Sequence, residues 1–455
     1  MLLPNEITVV AGTYDGVLVG WNNEKDLNKL EMEFASHSHE GSVRCISVLQ
    51  ENGIMASGGF DESIKVFDLK KKREMGETKT HGDLGAPMCS DFATESHLLV
   101  GLVSGKIAMY KRKDWAVVHI LAGHEGGISC IASHPSGKLA LSGGVKDGKL
   151  NLWDLTKGRL AFVHKLKIND LDKSNTTSKK PLPRVNCIRW STDGSKYAFC
   201  YGKHVTARDA ASGKDLLDIE LPARPNQICF IGENDECLAC ACDDGSLPVL
   251  GVGITDDEED QEEGLIRAVM AIEGVDRLVV GDDRLKCIQR VHGKSKYLVG
   301  IANSGGYVSI VDLAGASRAL NDDVNNESGG EEDSMSDSEK DDYEEEEEEE
   351  DLAEFLASVR VGSGARITTI SVWSSEADQE EQSSHKQGKE KKSVEEENDI
   401  TSKENVGSKK RTWNKDIETV KLKSDEISRA RVLVDKAKKR QMKKKRKKEQ
   451  SKSNK

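Results

Sequence analysis

Residues 123–155 read GHEGGISCIASHPSGKLALSGGVKDGKLNLWDL and decide the fold of the chain. Gly123-His124 opens this segment, Trp153-Asp154 closes it, and three short β-like runs lie between the two dipeptides. The last two runs are joined by Lys146-Asp147-Gly148, which has the chemistry of a tight hairpin turn. Another β-like run, residues 115–121, precedes the segment. The sequence therefore predicts four antiparallel strands in one small sheet.

The first run of this segment belongs to a repeat that extends along most of the chain. Its pattern, Ile128-Ser-Cys130-Ile131, has six other copies, at residues 43–46, 87–90, 185–188, 227–230, 285–288 and 367–370. The last copy has Thr369 in the cysteine position. Consecutive cysteines are 44, 41, 57, 42 and 58 residues apart, which indicates a base period of roughly 42 residues stretched by insertions.

Four strands per unit of about 40–45 residues, with Gly-His and Trp-Asp signatures, are typical of the blade of a WD40 β-propeller. Residues 7–11 and 17–21 have the pattern of middle strands without an innermost strand, whereas residues 366–373 have an innermost-strand pattern with no blade after it. Pairing them closes the ring and leaves only short, protected edges. We predict an all-β fold: a seven-bladed WD40 β-propeller closed by pairing of N-terminal strands with a C-terminal strand, plus a disordered acidic loop and a basic tail.

One repeat carries the whole polar pattern of such a blade, namely His124, Ser142, Asp147 and Trp153. In WD propellers a set of this kind forms a hydrogen-bonded group inside the blade. A serine, a histidine and an aspartate also suggest a catalytic triad, but their place in a repeat favours a structural role. We therefore predict a structural blade group.

Insertions and the C-terminal segment set the domain organisation. Residues 168–184 are polar and predict a surface loop, and residues 256–263 contain seven acidic side chains. The third insertion, residues 321–351, precedes a final outer strand near residues 354–361. Its self-repelling charge predicts disorder. We expect residues 1–375 to form the propeller, with this insert, and residues 376–455 to form a disordered tail that is basic over residues 429–455.

The basic tail is the strongest sequence signal outside the propeller. Residues 438–448 hold nine positive charges in eleven positions, a pattern that serves nuclear import or nucleic-acid binding. A merely solvated tail is the alternative. The predicted nucleic-acid or targeting residues are Lys438, Lys439, Arg440, Lys443, Lys444, Lys445, Arg446, Lys447 and Lys448.

The acidic insert contains a second candidate site. Residues 322–351 carry 18 acidic residues against one lysine. Ser334, Ser336 and Ser338 each have an acidic residue three positions later, which acid-directed kinases favour. Each phosphate would add about −1.5 to −2 charges to the loop. A phosphorylation site and a plain solvated linker remain the two interpretations.

Other functional classes find no support in the sequence. The first six residues lack a basic start, and no stretch reaches the roughly 18 apolar residues of a membrane helix, so we expect no membrane attachment. Ten cysteines without a secretion signal suggest reduced thiols of the cytosol or nucleus.

The sequence also argues against catalysis and metal binding. Cys237-Leu-Ala-Cys240 has a zinc-like spacing but lacks a second ligand pair, and strand alternation separates Cys237 from Cys240 and Cys242. Phosphate-loop, nucleophile-elbow and His-Glu-x-x-His motifs do not occur. We predict no enzyme activity, no metal and no cofactor.

With the repeats laid out, the chain resembles the p21-activated protein kinase-interacting protein 1-like family of WD-repeat factors. Three segments carry the resemblance: DESIKVFDLKKK at residues 61–72, HPSGKLALS at residues 134–142 and ARITTISVW at residues 365–373. A lysine-rich C-terminal segment follows in both.

The resemblance implies a protein of the nucleus and nucleolus that acts in maturation of precursor large ribosomal subunits. The implied partners are assembly factors of those particles, ribosomal proteins and, through the basic tail, precursor ribosomal RNA. For animal members it also implies binding and restraint of a p21-activated kinase, so a signalling adaptor is the alternative. A ubiquitin-ligase substrate receptor is disfavoured, because Leu155-Thr156 follows Trp153-Asp154 where arginine is usual two positions later.

Overall fold

The structure is a computed structural model that describes residues 7–24, 26, 29–80, 82–166, 182–253, 283–293, 295–327, 353–362 and 365–375. The described residues within Met1–Arg208 and Asp215–Glu381 belong to one compact unit, which carries the propeller. The second unit comprises Asp209–Lys214 and Gln382–Lys455, and only its residues 209–214 are described.

The described part of the chain is built almost entirely of β-strands of six to eight residues. In chain order they are β1 (Ile7–Thr13), β2 (Val17–Asn22), β3 (Glu31–His37), β4 (Val43–Leu49), β5 (Ile54–Gly59), β6 (Ser63–Asp68), β7 (Arg73–Lys79), β8 (Pro87–Thr94), β9 (His97–Leu102), β10 (Lys106–Lys111), β11 (Ala116–Ala122), β12 (Ile128–Ser133), β13 (Leu139–Gly144), β14 (Lys149–Asp154), β15 (Arg159–Lys165), β16 (Val185–Trp190), β17 (Lys196–Tyr201), β18 (His204–Asp209), β19 (Asp215–Glu220), β20 (Pro225–Ile231), β21 (Cys237–Cys242), the shorter β22 (Val249–Gly251), β23 (Leu285–Arg290), β24 (Leu298–Asn303), β25 (Tyr307–Asp312), β26 (Glu354–Arg360) and β27 (Ile367–Ser374). A 3-10 turn covers Gly82–Leu84, and one α-helix, α1, spans Ala314–Glu327.

These strands form seven antiparallel sheets, the blades of a seven-bladed propeller. Blade 1 has the order β27-β1-β2-β3, and blades 2 to 5 are β4 to β7, β8 to β11, β12 to β15 and β16 to β19. Blade 6 is β20-β21-β22 within the described residues, and blade 7 is β23 to β26. The innermost strands contact one another in a closed circle, β27-β4-β8-β12-β16-β20-β23 and back to β27. The predicted fold class is confirmed.

Burial explains why each blade orders its strands in this way. All residues of β5 and β24 are buried, because these strands are covered by the blades on both sides. The outermost strands β7 and β11 are almost wholly exposed; β7 is mostly charged and polar, whereas β11 exposes Val117, Val118 and Ile120. The core therefore lies between blades, and the charged outer edge of β7 discourages pairing with other chains.

Ring closure follows the predicted pairing of the two ends of the propeller. β1 pairs antiparallel with β27, with Val9 opposite Val372. Thr368 Oγ1 lies 2.6 Å from the Val43 carbonyl, to which its hydroxyl donates, and 3.0 Å from the Gly12 carbonyl, so β27 also holds blade 2. The predicted closure between N-terminal and C-terminal strands is therefore confirmed.

The repeat alignment is wrong in one blade. In blade 2, Val43 pairs with Gly59 and Cys45 pairs with Gly58, with a bulge between the two pairs. In blade 6, the residues at the register positions of Val43 and Cys45 are Pro225 and Gln227. Gln227, and not Cys229, therefore occupies the cysteine position. Its side-chain oxygen accepts a hydrogen bond from Ile288 N at 3.0 Å, which links blades 6 and 7.

The acidic insert begins later than predicted. Residues 321–327 were expected to be disordered, but they lie in helix α1. The Asp312 carboxylate caps the helix by accepting from Ala314 N at 3.0 Å. Ala316 is buried and Leu320 partly buried against an apolar cluster of blades 6 and 7. This packing of the first turns stabilises the helix, although the residues that follow are mostly polar and acidic. Residues 328–351 lie outside the described residues.

Candidate functional site

The four polar residues of blade 4 form one connected group. His124 lies in the β11–β12 loop, Ser142 on β13, Asp147 in the β13–β14 turn and Trp153 on β14. His124 Nδ1 lies 2.8 Å from Asp147 Oδ2, and His124 Nε2 lies 2.8 Å from Ser142 Oγ. Trp153 Nε1 donates to the same Ser142 Oγ at 2.8 Å. The four side chains link the loop that leads into blade 4 and the β13–β14 turn with the two middle strands of this blade.

Burial determines how the protons are arranged in this group. Burial lowers the pKa of His124 despite the neighbouring Asp147 carboxylate. In the neutral ring Nδ1–H donates to Asp147, Nε2 accepts from the Ser142 hydroxyl, and Ser142 Oγ accepts from the indole. The Ser142 side chain is fully buried, so no substrate reaches its hydroxyl. The geometry suits a structural clamp and not a nucleophile.

Blade 2 contains a second group of this kind, which the sequence reasoning missed. His39 Nε2 lies 2.8 Å from Ser57 Oγ, and His39 Nδ1 lies 3.1 Å from Asp61 Oδ1 and 2.9 Å from Ser63 Oγ. Phe67 occupies the strand position that Trp153 has in blade 4. A signal was available, because Ser38-His39 and Asp61 stand in the same places as Gly123-His124 and Asp147.

We expect the propeller to lose stability in mild acid. Burial lowers the pKa of both His39 and His124 below the usual 6.5, so between their folded and unfolded values the unfolded chain binds more protons. The stabilisation is complete above pH 6.5 and is lost as the pH falls below it. Thermal unfolding between about pH 7.5 and pH 5 should show a falling midpoint, with a shallower slope for His124→Gln. Parallel curves for the two proteins would contradict this account.

A channel of about 1260 Å³ runs along the propeller axis and is lined by the innermost strands. Its wall includes Asp91, whose pKa burial raises, and Arg189. Most of its charged lining is cationic and lies at one end of the channel, where the innermost strands begin.

Four arginines surround this end of the channel, which we name the entry mouth. Each directly precedes the first residue of an innermost strand in four consecutive blades, 5, 6, 7 and 1, and each is exposed. We call this set the arginine arc: Arg184, Arg224, Arg284 and Arg366. Arg44 and Lys286, one residue inside their strands, add two cations to the same mouth.

The part of the entry mouth that blades 1 to 3 form exposes apolar side chains. In six of the blades, the residue that follows the second strand donates its N–H to the carbonyl of the residue before the innermost strand, as in Tyr14 N to Arg366 O and Phe60 N to Ser42 O. In blades 1, 2 and 3 this residue is exposed, at 62% for Tyr14, 58% for Phe60 and 47% for Val103. We call these three residues the apolar arc.

The ten cysteines pack as small side chains inside the blades. All ten are free thiols, and burial raises the pKa of Cys130 and Cys287 to about 12. Cys237 packs in the cluster between blades 6 and 7, whereas Cys240 and Cys242 pack in the one between blades 5 and 6, as alternation predicts. The described residues contain no group of three or more possible metal ligands, and none of their helices is long and apolar enough to cross a membrane.

The remaining predicted sites fall outside the described residues. They are the basic residues 438–448 and the serines Ser334, Ser336 and Ser338. Their roles stay predictions.

Comparison with known families agrees with the fold. The WD40 family model, "WD domain, G-beta repeat", matches residues 28–68 and 115–154. Each match takes in the outermost strand of one blade and three strands of the next. The chain is therefore a WD-repeat β-propeller, a class of fold that typically serves as a non-enzymatic scaffold.

Relatives give a more particular likeness. The chain is 30% identical over 253 residues to p21-activated protein kinase-interacting protein 1-like from Danio rerio, covering 55% of this chain and 63% of that one. It is 36% identical over 154 residues to Shk1 kinase-binding protein 15 from Schizosaccharomyces pombe, covering 33% and 44%. Protein MAK11 from Saccharomyces cerevisiae is 26% identical over 241 residues, covering 47% and 54%. The resemblance to the p21-activated protein kinase-interacting protein 1-like family is confirmed, and the chain spans less than two thirds of the length of these relatives.

Proposed function

We propose that this chain is a non-enzymatic WD-repeat scaffold that assembles or matures precursor large (60S) ribosomal subunits in the nucleolus. The observation that carries the proposal is the concentration of basic charge in one segment of the sequence that contributes no strand to the described blades. Residues 429–455 carry 14 basic residues against two acidic ones, and the same chain has a propeller that offers a rigid surface to protein partners. A cationic tail supplies phosphate affinity without sequence preference, and the propeller supplies specificity.

The proposed partners follow from the same charges. Precursor ribosomal RNA would be held by residues 438–448, while assembly factors and ribosomal proteins would bind the propeller. The acidic insert suits basic ribosomal proteins, or it keeps the tail from binding RNA indiscriminately. These roles match what the family resemblance implies.

The test of this function is purification of the tagged full-length chain from cell lysate. We expect large-subunit precursor RNA and large-subunit ribosomal proteins to co-purify. Replacing the basic residues 443–448 with glutamine should reduce the RNA while propeller-bound proteins remain. Recovery of a kinase without ribosomal components would overturn the proposal.

Placement in the cell provides a second expectation. A fluorescent fusion that lacks residues 405–455 should shift towards the cytoplasm, because Lys409-Lys-Arg411 and residues 438–448 carry the proposed nuclear and nucleolar targeting. If that fusion still concentrates in the nucleolus, the propeller does the targeting and the tail does not.

A second candidate function is favoured by the names of two relatives. One is a p21-activated protein kinase-interacting protein and another a Shk1 kinase-binding protein. An adaptor that binds and negatively regulates a p21-activated kinase needs only the propeller. Such an activity would survive removal of the tail, which separates it from the ribosomal role.

A further inference from the structure

We propose that a small pocket between blades 2 and 3 binds one nucleotide of single-stranded RNA, with the base against Trp115 and the phosphate against the turn that precedes it. This inference rests on the proposed function and deepens it, since it gives the propeller a contact to a base, whereas a cationic tail contacts phosphates. The pocket lies at the end of the propeller where the innermost strands end, away from the entry mouth.

The pocket is formed by two neighbouring blades and has a volume of about 320 Å³. Blade 2 contributes two apolar side chains, Ile54 at the start of β5 and Met75 on β7. Blade 3 contributes Ser96 of the β8–β9 turn and four residues of the β10–β11 turn: Lys111, Arg112, Lys113 and Trp115. This volume is at the small end of the range for ligand pockets, so the pocket suits a single ring system.

Trp115 forms an aromatic wall of the pocket and sits on a strained turn. It directly precedes β11 with φ of 53°, in the left-handed region, where a bulky residue is an outlier. Gly158, which directly precedes β15 in blade 4, has φ of 60°. Trp115 packs against the apolar cluster that contains Ile54 but is only partly buried, so the remainder of its ring borders the pocket. Backbone strain of this kind collects at ligand-binding sites, and aromatic side chains are the usual platforms for unpaired bases.

Three consecutive cations stand on the same turn: Lys111, Arg112 and Lys113. Within the described part of the chain, none of these three side chains forms an ion pair or a hydrogen bond. The main chain that carries them is fixed, because Arg112 N donates to Ser96 O and Trp115 N donates to Lys111 O, both at 2.8 Å. The three charges are therefore available to a phosphate beside the indole ring.

The combination of one ring and one cationic turn favours a nucleotide. Every unit of RNA joins a flat base to a phosphate, whereas an acidic peptide carries a flat ring only where it has an aromatic residue.

Nearby carboxylates limit the contact to a single nucleotide. Glu74, Glu95 and Asp114 lie on the same strand or turns as the lining residues, although none of them lines the pocket. They repel the neighbouring phosphates, so the strand crosses the pocket and does not follow the surface. One phosphate contact adds little to the salt dependence of RNA binding, which the tail still determines.

The test measures binding of the full-length chain to two probes, oligoadenosine and an abasic ribose-phosphate oligomer of the same length. At about 200 mM salt, where phosphate contacts of the tail are weakened, the wild type should bind oligoadenosine about tenfold more tightly than the abasic oligomer. Trp115→Leu keeps an apolar contact to Ile54 but removes the flat ring, so this preference should disappear, whereas Trp115→Phe should retain most of it. Replacing Lys111, Arg112 and Lys113 with glutamine should weaken oligoadenosine binding by about tenfold.

Matched controls change an exposed ring and three exposed cations of blade 4. They are Phe162→Leu, and Lys157→Gln combined with Arg159→Gln and Lys165→Gln. Both controls should bind the two probes as the wild type does. Thermal unfolding of the variant at residues 111–113 should be unchanged, so this variant tests the proposal even where Trp115→Leu does not fold.

Three results would overturn the proposal. The first is a wild type without preference for oligoadenosine, and the second is a full preference in Trp115→Leu or wild-type affinity in the variant at residues 111–113. The third is tighter binding, dependent on Trp115, of a peptide of alternating glutamate and leucine, which would assign the pocket to an acidic protein segment. In each case precursor RNA would still co-purify with the chain, whereas its absence from the purification would overturn the proposed function itself.

Discussion

A chain that ends at Val361 should unfold or aggregate, whereas a chain that ends at Ala377 should fold normally. The shorter chain lacks β27, whose Ile367, Ile370, Val372 and Trp373 are buried. Burying each such side chain contributes about 1.5–3 kcal/mol, so their loss removes an amount comparable with the whole stability of a typical domain. It also exposes the unpaired edge of β1, which favours aggregation.

The measurement is thermal unfolding of the two purified chains, followed by far-ultraviolet circular dichroism. A point variant serves where the shorter chain cannot be recovered. Trp373→Ala removes a buried ring whose Nε1 donates to Gln50 O at 3.0 Å, and we expect a loss of about 3–5 kcal/mol. Equal stability of the chains ending at Val361 and at Ala377 would contradict closure of the ring by β27.

The repeat pattern in the sequence predicted the number of blades, but its copy in blade 6 was placed two residues too late. An innermost strand alternates its side chains between two faces, so a shift of two residues preserves the pattern. Gln227 and Cys229 therefore face the same side, and sequence alone favoured the cysteine. The structure decides between them through the pairing of Pro225 with Cys242 across the bulge.

That misplacement also hid part of the candidate site. Arg184, Arg284 and Arg366 stand directly before the repeat pattern, but with Cys229 as the marker Arg224 falls two residues too early to join them. The sequence did not predict the apolar arc, for a different reason. Tyr14 and Phe60 lie in turns, and only the hydrogen bonds between second and innermost strands bring turn residues to the mouth.

Helix α1 was missed because composition was averaged over the whole insert. Residues 322–351 carry 18 acidic residues, and this charge dominated the prediction from residue 321 onward. The helix begins before the acidic run, where the cap by Asp312 and the packing of Ala316 are tertiary effects that charge counting does not register.

RNA binding by this protein should depend steeply on salt, and the dependence should come from the tail. We expect roughly 6–10 contacts between the tail and RNA phosphates. Because these contacts release counterions, the affinity for RNA should fall by about 10³–10⁵ when the salt rises from about 50 to 200 mM, with little preference for RNA sequence. Replacing the six basic residues 443–448 with glutamine should flatten that slope. The melting of the propeller should not change, because its strands, from Ile7 to Ser374, contain none of the replaced residues.

A charge-matched control replaces six lysines earlier in the tail with glutamine: Lys386, Lys389, Lys391, Lys392, Lys403 and Lys409. These lysines are interspersed with acidic residues, so their loss should change the slope much less.

The central claim is that a propeller scaffold holds precursor ribosomal RNA through its cationic tail. A salt titration of the binding of precursor ribosomal RNA to the wild type, the tail variant and the control tests it most directly. We expect a steep slope for the wild type and the control and a shallow one for the tail variant. Equal slopes for all three would place any RNA contact on the propeller and would favour the kinase-adaptor function instead.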